Sequence, residues 1–108
     1  MTFNEYQDKA MTFLNNKLSK KDVLINGVMG LCGESGEVID IVKKHHAQGH
    51  ELDKEKIIEE LGDVCWYIAE IAYVLDVKLE DVFEGNINKL SKRYKNGFSK
   101  EESINRNK

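Results

Sequence analysis

A chain of 108 residues has room for one domain and one modest core. With 41% hydrophobic and 32% charged residues its composition is globular, and its two cysteines are too few for a disulfide scaffold or, by themselves, a zinc site. The formal charge of −3 divides unevenly: residues 1–88 carry −8 and residues 89–108 carry +5, which excludes the broad basic face of a general nucleic-acid binder and leaves a local basic cluster suited to a smaller phosphate-bearing ligand. No apolar run approaches the roughly 20 residues that cross a bilayer, and the N-terminus lacks a signal-peptide core, so no membrane association and a reducing cytoplasm are expected.

No proline interrupts the chain, and apolar residues recur at helical steps with no strictly alternating stretch to compete. Thr2 with Glu5 three residues later forms a capping box. Phe3, Tyr6, Ala10, Phe13, Leu14 and Leu18 then make one stripe, so a first helix is expected to end near residues 15–20. A second is expected from Asp22 to near His46, with Leu24, Val28, Leu31, Val38, Ile39 and Val42 on one side and a loop around Gly49. A third starts at Asp53 or Lys54, carries Ile57, Leu61, Val64, Ile68, Ile71 and Leu75, and is ended by Asp76. A fourth carries Leu79, Val82, Phe83, Ile87, Leu90 and Tyr94 and closes at Gly97. Four such helices with short connections predict an all-α, four-helix bundle-like domain over residues 1–98, followed by a polar, flexible tail over 99–108.

Gly27, Gly30, Gly33 and Gly36 all fall inside the second helix, where each costs about 1 kcal/mol against alanine; the pattern predicts a close approach to a neighbouring helix. Glu34 and Glu37 sit among them, three residues apart on one face, and Glu60 and Asp63 repeat that spacing on the third helix. On a helical wheel Glu60 lies about 20° from Ile71, at the margin of the apolar stripe, and Glu34 borders its own stripe through Leu31. Carboxylates there are costly unless paired or metal-bound, and few lysines or arginines stand at facing positions. A hard divalent cation is the better counter-charge: Mg²⁺, with Mn²⁺ as a substitute, takes oxygen ligands and shares itself with substrate phosphates. One such pair alone reads as a solvated helix face; both together on neighbouring helices read as a metal site. A di-iron bundle is excluded, because it needs a histidine three residues after a glutamate and none stands there.

Glu34-x-x-Glu37, then 22 residues, then Glu60-x-x-Asp63 resembles the signature of MazG-like all-α nucleoside triphosphate pyrophosphohydrolases. The neighbouring text is similar too: Gly30 to Val38, Glu59 to Val64, and Asn86-x-x-Lys89-Leu90-x-x-Arg93-Tyr94 before Gly97-Phe98, so the likeness covers residues 3–98. It implies Mg²⁺-dependent hydrolysis of an NTP or dNTP to the monophosphate and pyrophosphate, in nucleotide-pool housekeeping. It also implies a homodimer or homotetramer. Glu34, Glu37, Glu60 and Asp63 would hold the metal; Asn86, Lys89 and Arg93 match positions that contact phosphates or sugar, and Tyr67 one that packs on the nucleoside. Many such enzymes carry a further glutamate directly before the first signature glutamate, where this chain has Gly33; Glu59 does stand beside Glu60. Glu37 is the expected proton acceptor for the attacking water, with Glu60 the second catalytic carboxylate. Lys89 and Arg93, four apart on one helical face, would clamp phosphates.

The remaining polar and aromatic residues have plainer readings. Cys32 and Cys65 fall on apolar stripes as small core residues, and His45 and His46 suit a helix C-terminus, with His50 in the loop. Trp66 lies almost opposite the main stripe of its helix and reads as exposed, lining a base pocket or, as the favoured reading, a subunit interface; Phe3, Tyr6 and Phe13 read as core. Two rival functions remain: a non-catalytic bundle that binds nucleotide or a partner protein through the same groove, and a structural bundle whose acidic pairs ignore metal.

Overall fold

Thr2 opens the first helix as its capping box predicts: its side chain accepts from the Glu5 N–H at 3.0 Å, and Glu5 Oε1 accepts from the Thr2 N–H at 3.1 Å. The computed structural model describes residues 1–105, and within them there are five helices and no β-strand: α1 (Phe3–Met11), α2 (Lys20–Gln48), α3 (Lys54–Val74), α4 (Leu79–Arg93) and α5 (Lys100–Asn105).

The helix ends are set by local side-chain chemistry. α1 stops before its apolar stripe does. Thr12 Oγ1 donates to Lys9 O at 2.6 Å and Asn15 Oδ1 accepts from the Lys17 N–H at 3.0 Å, bonds that turn the chain out of the helix. α2 starts at Lys20 and not at Asp22, because Ser19 is the cap: its Oγ accepts from the Asp22 N–H at 3.1 Å, which puts Asp22 in the first turn. It runs beyond His46 to Gln48, where Gly49 adopts the left-handed conformation (φ 75°) that closes it. Asp53 caps α3 by accepting from the Lys56 N–H at 3.0 Å. At the other end Asp76 turns left-handed (φ 59°), and the Val77 N–H reaches Ala72 O at 2.8 Å, a Schellman closure. α5 occupies part of the segment expected as a tail, and Ser99 Oγ holds its first turn by accepting from the Glu102 N–H at 3.0 Å; residues 106–108 of that segment lie outside the described residues.

α2 and α3 form an antiparallel pair: Gly27 meets Ile71, Gly30 meets Tyr67, and Glu34 comes beside Glu60. α1 packs on another side of α3, and α4 packs on both α1 and α3. Gln7 ties α1 to the start of α4, its Nε2 donating to Val77 O at 3.0 Å and its Oε1 accepting from the Leu79 N–H at 2.9 Å. The buried centre is small: Ala10, Ala69 and Leu79, with Tyr6, Met11, Trp66, Ile68 and Phe83 packed around it. Trp66, expected outside, belongs to this centre, because α1 covers it and Ala10 O accepts from its Nε1 at 3.0 Å.

Cys32 and Cys65, expected in the core, are exposed free thiols. Cys32 points from the side of α2 away from α3, and Cys65 stands at the margin of the α1 contact beside Tyr6. Much of the expected apolar stripe also stays outside. Val28, Ile39 and Val42 of α2, Leu61 of α3, Leu75 at its C-terminal cap, and Ile87 of α4 are exposed, as are Phe3 and Phe13. α2 is covered extensively along one face only, by α3. Among the described residues no helix is long and apolar enough to cross a membrane.

Candidate metal centre

The centre begins with two glycines. A Cβ at Gly30 would overlap the Tyr67 ring, and one at Gly27 would stand 2.8 Å from Ile71 Cγ1, so only hydrogen at these positions lets α2 lie this close to α3. Gly33 and Gly36 have no such neighbour: an added Cβ at either meets nothing within 4 Å. The expected close approach therefore rests on half of the glycine run.

One turn beyond Gly30, the approach brings acidic groups of both helices together. Carboxylate oxygens of Glu34, Glu60 and Asp63 lie within 4.8 Å of one another. Glu60 is buried at 6% exposure, Glu34 is half-buried and Asp63 is exposed. Their crowding holds the Glu34 carboxyl up at about 7: its hydrogen bond with Glu60 is the largest cause, then loss of solvent, then the fields of Glu60, Asp63 and Glu37. Glu37 acts on Glu34 through its charge but stands outside the three-residue group, exposed, on the rim of a cleft of about 370 Å³ with Lys44, His50 and Lys56.

The donor set is all oxygen, shared between two rigid helices, and its charges repel until a cation or a proton intervenes. That chemistry fits a hard divalent ion and offers nothing to a soft one.

Tyr67 borders the group from the helix interface. Its ring fills the space above Gly30 and meets Trp66 edge-on at 5.1 Å, and its hydroxyl is pushed up by burial, then by Glu34, Glu70 and Asp63. The α4 candidates stand apart. Asn86 and Lys89 are exposed, Arg93 is half-buried, and among the described residues none of the three makes an ion pair or side-chain hydrogen bond to the four carboxylates.

Two residues of this region carry no role in the sequence reading. Lys56 supplies the local cation that facing positions lacked, with Nζ 3.4 Å from Glu60 Oε1; the signal was the i, i+4 spacing along one helix. Glu70 is fully buried, and Asn26 Nδ2 donates to both of its oxygens at 3.2 and 3.1 Å. Its signal was the run Glu60, Asp63, Tyr67, Glu70, a single helical face.

The family model for the MazG nucleotide pyrophosphohydrolase domain matches residues 26–98, a span that holds both acidic pairs and the whole of α4. The Gene 37 protein of Mycobacterium phage L5 is 40% identical over 82 residues, which cover 72% of this chain and 72% of the phage protein. No solved structure matches the chain.

Proposed function

Because the chain belongs to the MazG nucleotide pyrophosphohydrolase family, we propose that it hydrolyses (d)NTPs to the (d)NMP and pyrophosphate with Mg²⁺, in nucleotide-pool housekeeping. The observation that carries this reading is the meeting of Glu34, Glu60 and Asp63 across two helices, within the segment that the family model covers. These three with Glu37 would hold the ion, and Mn²⁺ would substitute. A bound Mg²⁺ would neutralise phosphate charge and polarise the phosphoryl group under attack.

The chain's own residues do the rest. Glu37, the solvent-facing carboxylate of the set, takes the proton of the attacking water as the new oxygen–phosphorus bond forms and the bond to pyrophosphate breaks. Glu60, held in a nearly buried position, anchors the set and is the second catalytic carboxylate. Lys89 and Arg93 meet the phosphates, Asn86 the phosphates or sugar, and Tyr67 the nucleoside. Residues 1–98 act as one domain, assembled as a homodimer or homotetramer through the apolar faces that the protomer leaves exposed. The substrate is a free nucleotide, with no nucleic acid or membrane partner, and the compartment is a reducing cytoplasm, which suits two exposed thiols.

The test is pyrophosphate release from a panel of canonical and modified nucleotides, with Mg²⁺ and with EDTA. Metal-dependent release with the monophosphate as co-product is expected. Glu60→Gln should lower kcat/KM by about two orders of magnitude, roughly 2.7 kcal/mol of transition-state stabilisation. Unchanged activity in that variant would remove Glu60 from the site.

One observation favours a second reading, a non-catalytic nucleotide- or partner-binding bundle: Gly33 stands where similar enzymes commonly carry a further glutamate. A Cβ there meets nothing within 4 Å, so a side chain at this position starts into open space. Saturable nucleotide binding without turnover, and turnover gained in Gly33→Glu, would select this reading.

A further inference from the structure

Lys56 sits against the carboxylates of the candidate centre, and nothing in the acidic signature accounts for it. Its Nζ lies 3.4 Å from Glu60 Oε1 and 3.5 Å from Glu59 Oε2, with 48% of its side chain exposed against 8% for Glu60. A carboxylate so little hydrated needs a counter-charge, and the third residue of α3 delivers one along its own helix. An ammonium at ion-pair distance and a divalent ion cannot share one carboxylate without mutual repulsion at a few ångströms. The ammonium is the one that can leave. A half-exposed lysine pair is worth little, and the four-carbon stem lets the head swing. It would swing into the cleft of about 370 Å³ that Lys56 lines with Glu37, Lys44 and His50.

We infer that Lys56 is an internal counter-ion that competes with the divalent metal for Glu60 and, once displaced, pairs with a phosphate of the bound nucleotide. The inference rests on the pyrophosphohydrolase reading. It adds that metal binding and phosphate binding are exchanged through one side chain.

The experiment is calorimetric titration of the full chain with Mn²⁺ in the absence of nucleotide, for wild type, Lys56→Gln and Lys56→Arg. Lys56→Gln is expected to bind Mn²⁺ about three- to tenfold more tightly than wild type, since it lacks the competing charge, and Lys56→Arg to stay within about twofold of wild type. Steady-state kinetics of the same proteins should show KM for the nucleotide raised in Lys56→Gln with kcat changed far less. Equal or weaker Mn²⁺ affinity in Lys56→Gln, with wild type binding normally, overturns the competition and leaves the metal site standing. Tighter metal binding with an unchanged KM overturns the transfer to phosphate. A wild-type protein that binds no Mn²⁺ overturns the metal centre itself and this inference with it.

Discussion

Gly30 and Gly33 are three residues apart on one helix and meet opposite surroundings, which makes them a matched pair. Gly30→Ala drives a methyl group into the Tyr67 ring and is expected to cost about 1–3 kcal/mol in chemical denaturation. Gly33→Ala enters open space and gains helix propensity, up to about 1 kcal/mol of stabilisation. Two losses of similar size would mean that α2 and α3 do not approach at Gly30. Glu34 carries a second prediction. Its carboxyl releases its proton near 4.5 in an unfolded chain and at about 7 in the folded one, so in that interval the native state binds more protons than the unfolded state. Its contribution to stability without metal is complete below about 4.5 and lost as pH rises through about 7. Mg²⁺ requires the same oxygens deprotonated, so the rise in melting midpoint on adding Mg²⁺ should grow between pH 5.5 and pH 8. A rise independent of pH would exclude Glu34 from the ligand set.

The pairing of α2 with α3 depends on a contact hidden below the acidic group. Glu70 is fully buried, and Asn26 donates to both of its oxygens across the interface. Asn26→Leu strands that carboxylate and is expected to cost about 2–4 kcal/mol of stability. Glu70→Leu added to Asn26→Leu should recover part of the loss, because removing both polar partners is less harmful than removing one. Strict additivity of the two changes would show that the pair is not coupled. Glu70 also marks where the sequence stops being readable. Helix existence, the Thr2 box, a third-helix start at Asp53 or Lys54 and the two acidic pairs were legible, because capping and i, i+3 spacing are local, whereas the meeting of Glu34 with Glu60 and Asp63 depends on how α2 packs on α3. Glu70 has that same spacing, but its burial depends on which flank of α3 faces Gly27, and that is a property of two helices. Trp66 failed for the same reason: it is opposite the stripe that meets α2, and α1 covers that opposite side. The C-terminal end of α1 and the start of α2 turned on Thr12, Asn15 and Ser19, whose hydroxyl and amide bonds outweigh an apolar stripe that continues past them.

The whole protomer is too open for a finished fold. Its radius of gyration is 17.1 Å, where a compact chain of this length has about 13 Å. Its accessible surface is 8464 Å², where a monomer of 12.4 kDa exposes about 6,100 Å². The excess of roughly 2,300 Å² per protomer is the size of an obligate interface. The exposed apolar residues mark where a second copy would pack. Ile39 is 68% and Ile87 61% exposed, on the outer sides of α2 and α4, and the apolar side chains buried among the described residues of the lone protomer are Ala10, Val23, Ala69, Ala72 and Leu79, three of them alanines. A second copy that covers these faces would complete a bundle that one chain leaves half-built, and would bring further helices toward the carboxylates that Lys89 and Arg93 do not reach by contact within the protomer. Sedimentation equilibrium is expected to return at least twice the 12.4 kDa protomer mass. Ile39→Asp or Ile87→Glu should shift the distribution toward the protomer and make the melting midpoint depend steeply on protein concentration. Folding and association would then be one event, since the core that a lone chain buries is small against the entropy of ordering five helices. A wild-type species of 12.4 kDa that melts cooperatively, at a midpoint independent of concentration, would show the opposite: a protomer stable with its apolar faces in water.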